Sequence, residues 1–266
     1  AAQAKEAKKA FGAAKKELKR IVDLQTDRLY EALCTEREWP AADWADYLQQ
    51  HPVLRHLVQR LVWVELIDGK AAWTFRPLDD GTLTDREDNA VELAEGARVR
   101  LAHDSLLDAD AVSAWQQHLV DYEVKPLFQQ LGKGHYALPE AKAQNDAIKD
   151  FEGHLIEAFA LRGRALKLGY TRGPAEDGGW FHVYAKRFPT LGLQAVLEFT
   201  GNPLPEENRT VALLNLSFAS SADNSRGKLT LSKVPKVLLS ECYNDLRLIA
   251  AEGTGYHADW QKKSEY

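Results

Sequence analysis

Methionine is absent from the 266 residues, cysteine occurs only twice, and there is no run of about 18 apolar residues. Each gap excludes something. Without a long apolar run, and with 27% charged residues and a mean hydropathy of −0.41, no helical membrane span is expected. Two cysteines, Cys34 and Cys242, cannot form a disulfide framework. Each lies in a helix-like pattern and is read as a reduced, buried thiol, consistent with a cytoplasmic protein. The opening "AAQAKEAKKAFG" has basic residues but no apolar core behind them, so it does not read as a secretory signal. The lack of methionine and the start at alanine suggest part of a longer protein. Nucleophile-elbow, kinase and dinucleotide fingerprints are also missing.

The charge that is present is uneven. Residues 1–20 hold seven Lys/Arg against two Glu, +5, within a chain of net charge −5, which leaves −10 for the remainder. An acidic body argues against binding along a phosphate backbone, although the basic N-terminal helix could touch nucleic acid locally. Phe11, Ala14, Leu18, Ile21, Gln25, Leu29 and Ala32 recur at steps of three and four, predicting one long amphipathic helix. Its stripe is expected to pack on the short helices opened by Pro40 and Pro52.

The period then changes to two. "LVWVELIDGKAAWTFRP" reads as a hairpin turning at Asp68-Gly69, with Ile67 opposite Lys70 and with Val62, Val64 and Leu66 beside Phe75, Trp73 and Ala71 on a core face. A polar connection, "LDDGTLTDREDN", leads to a strand at "RVRLAH" and a helix in "DADAVSAWQQHLVDYEV". Two glycines and a proline in "QQLGKGHYALPEAKAQ" place a boundary near residue 138, giving subdomains 1–138 and 139–266. Beyond it, "NDAIKDFEGHLIEAFALRGRALKLG" reads as helix, "GWFHVYAKRF", "LQAVLEFT", "TVALLNLSF" and "KLTLSKV" as four strands, and "PKVLLSECYNDLRLIAAEG" as a closing helix with Gly253 at its end. The fold class is therefore α+β: a helical N-terminal part with a β-hairpin and short strands, then a four-stranded antiparallel sheet flanked by helices.

"YTRGPAEDGGWFHVYAKRF" poses a choice between a phosphate-cradling loop and a turn that starts a sheet. Its glycines follow a helix and precede a strand, and Glu176 and Asp177 oppose an anion, so the turn is preferred, with Gly169 ending the helix. Alternation puts Phe181, Val183 and Ala185 on a core face and Trp180, His182, Tyr184 and Lys186 on the other, joined by Gln194, Glu198, Asn215, Ser217 and Lys228. That second face is a candidate binding platform or an interdomain seam; the seam is favoured.

Candidates for chemistry are few. His51 and His56 lie five apart, the wrong spacing for a helix-borne zinc pair, and no metal or cofactor is expected. His103, Asp104 and Asp108 in "AHDSLLDAD" form the best acid/base cluster, although a capping Asp explains part of it.

Several segments carry a resemblance: "EREWPAADWADYLQQHPVLRHLVQRLVW", "FRPLDDGTL", "AHDSLLDADAVSAWQQHLVDYEVKPLFQQL", "LGYTRGPAEDGGWFHVYAKRF" and "LLSECYNDLRLIA". Their order resembles the C-terminal region of the bacterial WGR-associated family with a large domain of unknown function, the molybdate-metabolism-regulator-like proteins. That family pattern has His-Pro where this chain has His103-Asp104, which leaves the histidine without a family role. The missing catalytic fingerprints and the seven tryptophans support a non-enzymatic interaction or scaffold domain, and the resemblance implies that it belongs to a longer bacterial protein. It also implies protein partners of the AAA+ ATPase or von Willebrand A type, with nucleic acid reached through other domains. The alternative is an enzyme using His103, Asp104 and Asp108. Seven tryptophans are expected to anchor helix packing or partner surfaces.

Overall fold

The computed structural model describes residues 2–174, 179–201, 203–221 and 227–264, and it divides into two compact units, Ala1–Gly134 and His135–Tyr266. The predicted α+β class is observed: helices accompany an antiparallel sheet in each unit.

In the first unit, helix α1 runs Ala2–Cys34 and is followed by β1 (Trp39–Pro40), α2 (Ala41–Trp44), a π-helical turn (Ala45–Gln49) and α3 (Arg55–Val58). Strands β2 (Trp63–Ile67), β3 (Lys70–Pro77), β4 (Leu83–Thr84) and β5 (Arg98–Leu101) precede α4 (Ala109–Asp121), and the sheet order is β1-β5-β2-β3-β4. Asp68 at φ 51° and Gly69 at φ 74° make the left-handed pair that a two-residue hairpin turn requires. Ile67 pairs with Lys70 and Leu66 with Ala71, as expected, but the register shifts between Glu65 and Leu66. The extra residue sets Trp73 opposite Glu65, Thr74 opposite Val64 and Phe75 opposite Trp63. The expected core face is corrected accordingly: Trp73 is exposed, while Trp63 and Phe75 are buried. Trp63 instead packs edge-to-face on Trp39 and Trp44, and Trp44 on Phe75.

A second apolar cluster joins Val62, Ala102, Trp115 and Leu131. The buried Gln130 side chain braces it, accepting from Val62 N–H at 2.9 Å and donating to the carbonyls of Val62 and Ala102 at 2.6 and 2.8 Å. A single amide thus satisfies buried strand-end groups as another strand would.

The largest departure in this unit concerns α1. The helix forms over the expected length, yet its stripe is not packed throughout: Phe11 is 72% and Leu18 55% exposed. Only the last turns are buried, at Leu29, Ala32, Leu33 and Cys34, and these lie beside β5. Surface ion pairs at Lys19–Asp23 and Arg20–Glu17 add helix support of a few tenths of a kcal/mol each.

In the second unit, β6 (Ala147–Ile148) and β7 (His154–Glu157) precede α5 (Ala158–Lys167), β8 (Thr171–Arg172), β9 (Val183–Phe188), β10 (Leu193–Phe199) and β11 (Thr210–Ser220). Helix α6 (Lys236–Ala250), β12 (Gly255–Tyr256) and α7 (Trp260–Lys263) complete it. The seven-stranded sheet has order β12-β7-β11-β10-β9-β8, with β6 also on β11, replacing the expected four strands. Residues 147–157, read as helical, are strand and turn. Ile148 pairs with Leu216 and Ile156 with Val211, and Gly153 turns between them at φ 79°. "KLTLSKV" forms no strand: Lys228 makes one bridge to Ala219, and Leu231–Lys233 is a 3-10 turn. The end of α5 is as expected. Gly169 N–H bonds to Leu166 O and Tyr170 N–H to Ala165 O, a Schellman closure with Gly169 left-handed. The loop residues Glu176 and Asp177 lie outside the described residues.

Candidate functional site

The residues singled out as an exposed platform are divided by the sheet. Strand β9 begins only at Val183, so the alternation assumed from Trp180 onward does not hold. Pairing sets Tyr184 opposite Leu197 and Lys186 opposite Ala195, which are in turn opposite Leu216 and Phe218. This is the buried face. Tyr184 is 1% exposed, stacked on Phe199 and edge-on to Phe181, and burial pushes its hydroxyl up to about 12. Gln194 and Glu198 fall with Val183 and Arg187 on the opposite face, where Glu198 accepts from Asn215 Nδ2 and meets Lys228 Nζ at 3.2 Å. Trp180 is exposed and His182 half-buried. The four-residue platform is therefore corrected: Tyr184 packs against Phe181 and Phe199 of its own unit, while Trp180 is exposed.

Lys186 carries the more informative chemistry. Its ammonium lies 2.8 Å from Asp245 Oδ2 on α6 and above the rings of Tyr170 and Phe188. Tyr170 and Cys242 sit beside the pair, and burial raises both their hydroxyl and their thiol. A thiol held protonated in this way is a packing group, not a nucleophile. Cys34 is likewise buried.

The acid/base candidates are each engaged by neighbouring backbone or hydroxyl groups. His103 is buried, with Nδ1 2.9 Å from Ser105 Oγ and accepting from Ser105 N–H. Asp104 accepts from the backbone N–H groups of Gly132 and Gly134 at 2.9 and 2.6 Å, pinning the end of the first unit. Asp108 caps α4 by accepting from Ala111 N–H at 2.8 Å, the capping role anticipated for this stretch. His51 also accepts backbone N–H groups, from Val53 and Leu54.

A different group of titratable side chains converges in the first unit. The Asp85 carboxylate accepts from Glu87 N–H, Asn89 N–H and Asn89 Nδ2, curling the acidic connection into a tight loop that holds Asp88 in the left-handed region, φ 66°. Asp88 Oδ1 then lies 3.8 Å from Nδ1 of the buried His118, whose ring meets Trp115 and Tyr122. Burial, and then the Arg76 charge, hold His118 below its ordinary value, so its neutral form is favoured. Arg76, Asp88 and the His118–Tyr122 pair come from separate segments and match no motif, and only the polar composition of the loop hints at them.

The exposed stripe of α1 is a further surface without an assigned role, with Phe11 and Leu18 outward on a helix that carries Lys8, Lys15 and Lys19 beside them. Among the described residues nothing covers it. Also among them, no helix is long and apolar enough to cross a membrane.

Comparison with known proteins is consistent with a chain of undetermined role. Over 200 residues it is 25% identical to a protein of Escherichia coli (strain K12) described as "Uncharacterized protein YehI", a stretch covering 71% of this chain and 16% of that relative. No solved structure matches it. A family model, "Domain of unknown function (DUF4132)", matches residues 1–170, and the chain accordingly belongs to the DUF4132 family.

Proposed function

We propose that this chain is a non-enzymatic protein-interaction or scaffold domain of a larger bacterial cytoplasmic protein, and that α1 is the element it offers. The observation that carries this reading is the exposure of Phe11 and Leu18, two turns apart on one face of a lysine-flanked helix. Large apolar side chains aligned on one open helical face are tolerated mainly where something binds. The flanking cations favour a partner whose surface is apolar and rimmed by acidic groups. The resemblance to WGR-associated, molybdate-metabolism-regulator-like proteins suggests AAA+ ATPase or von Willebrand A-type proteins as partners, with nucleic acid engaged by other domains or by the lysines of α1. The alternative, chemistry by His103, Asp104 and Asp108, has less support, because the Asp104 and Asp108 carboxylates are occupied by backbone N–H groups.

The test uses one substitution and one cross-linker. Leu18→Asp should leave the melting temperature of the isolated chain within about 2 °C, since substitutions at exposed positions change stability by roughly 0.5 kcal/mol or less. A photo-cross-linking residue at Phe11 should capture an acidic protein in cells, and Leu18→Asp should abolish that product. Capture of nucleic acid instead, or a marked fall in melting temperature with Leu18→Asp, would overturn the assignment.

A further inference from the structure

A cavity of the first unit, about 790 Å³ and open to solvent, is bordered by three cations, Arg60, Arg76 and Lys125, and three anions, Asp79, Asp80 and Glu123. One of the cations is anomalous. Arg76 is 6% exposed, yet no carboxylate among the described residues forms an ion pair with it. Its Nη1 reaches only the carbonyls of Gln59 and Pro77, both at 3.4 Å, and its Nε has no hydrogen-bond partner. The Tyr122 ring lies 5.7 Å from the guanidinium carbon. Burial lowers the Arg76 pKa, opposed by the charges of Asp79 and Asp88, but an arginine in a protein stays protonated. A buried cation with an unused fork edge is costly, and such groups are normally paired.

The other charges of the cavity differ. Arg60 Nε is already bound to Lys125 O at 2.6 Å, and Asp80 accepts from Thr82 N–H and Oγ1. Arg76 therefore has capacity to spare, and a guanidinium edge, unlike the ammonium of Lys125, matches a planar carboxylate in two parallel hydrogen bonds. The lining is neutral in sum, so a phosphate dianion would leave uncompensated charge, whereas a ligand with one negative and one positive group preserves the balance.

We infer that this cavity binds a small zwitterion, with its carboxylate on the Arg76 guanidinium and its cationic group toward Asp79 and Asp80. The site is independent of the α1 surface and uses none of the residues anticipated for chemistry.

The inference is tested by following the Arg76 Nε–H resonance in ¹⁵N-labelled protein while adding glycylglycine, acetate or inorganic phosphate. Glycylglycine should shift it saturably, with an affinity at least about tenfold above that of acetate. Phosphate should bind more weakly than glycylglycine. Arg76→Met should abolish the response at neighbouring resonances without lowering the melting temperature, because replacing an unpaired buried charge by an apolar chain relieves a cost. Should that variant not fold, Arg76→Lys, which keeps the charge but loses the fork, should fold and bind at least about tenfold more weakly. No shift up to about 50 mM glycylglycine, tighter binding of phosphate, or unaltered affinity in Arg76→Lys would each overturn the site.

Discussion

Asp245→Asn should destabilise the second unit by on the order of 3–5 kcal/mol, the range for removing one member of a buried ion pair. Asp245 and Lys186 are 5% and 11% exposed at their side chains and meet at 2.8 Å between α6 and β9. The lysine stem runs past the aromatic rings of Tyr170 and Phe188, so its ammonium has no easy route to bulk water once the carboxylate is neutralised. Urea unfolding of the single variant should show the full loss. The double variant Lys186→Met/Asp245→Leu should recover most of it, since a buried pair exchanged for apolar groups of similar volume is often neutral. A loss below about 1 kcal/mol in the single variant would mean that the ammonium relaxes to other acceptors.

The second large effect is expected in the first unit. Trp63→Ala should cost about 3–5 kcal/mol, as do comparable aromatic deletions from packed cores. Trp63 is fully buried on the central strand β2, its ring 5.9 Å from Trp39 and 5.3 Å from Trp44. Its indole N–H donates to Val58 O at 3.0 Å, closing the turn after α3. Truncation removes the edge-to-face contacts and one of the two hydrogen bonds the Val58 carbonyl accepts, leaving it the Leu61 N–H at 3.2 Å. Trp63→Phe keeps a ring but loses the donor, and it should fall between wild type and Trp63→Ala in the same denaturant titration. Equal losses for the two variants would assign the whole effect to the hydrogen bond and refute the packing argument.

What could be read from the sequence was local. Asp68-Gly69, Asp108 and Gly169 act through backbone conformations or hydrogen bonds within a few residues, and each does what its residue type favours. The misread elements depend on partners far along the chain. Leu155 and Ile156 fit a helical period as well as a strand, and only pairing with β11 decides between them. The bulge at Glu65 and Leu66 has no local signature, and it turns Trp73 out of the expected core face while Phe75 stays buried. Tyr184 and Lys186 were assigned to the wrong face because Phe181, buried ahead of the strand, was counted as part of its alternation. Gly253 is instructive in a different way. It lies beyond α6 without a left-handed φ, and a Cβ there would meet the Leu155 carbonyl oxygen at 2.1 Å, so its smallness serves β7 and not the helix end. The Arg76 and His118 group drew on residues from three separate elements, which no spacing rule connects.

The uneven anchoring of α1 has a consequence for how such a helix forms. At 1.5 Å per residue its 33 residues extend about 50 Å, but burial is confined to the turns near Leu29 and Cys34. The slow, unfavourable step in making a helix is the first turn, with an initiation constant of about 0.001. Here the folded body supplies that turn at Leu29–Cys34, and the chain toward Phe11 only has to propagate from it. The body of the first unit thus acts as a permanent template, and the same stretch cut away from it would have to meet the initiation penalty alone. A partner docking on Phe11 and Leu18 would meet a surface already wound, and so would bear little of the ordering entropy that a disordered segment imposes on binding.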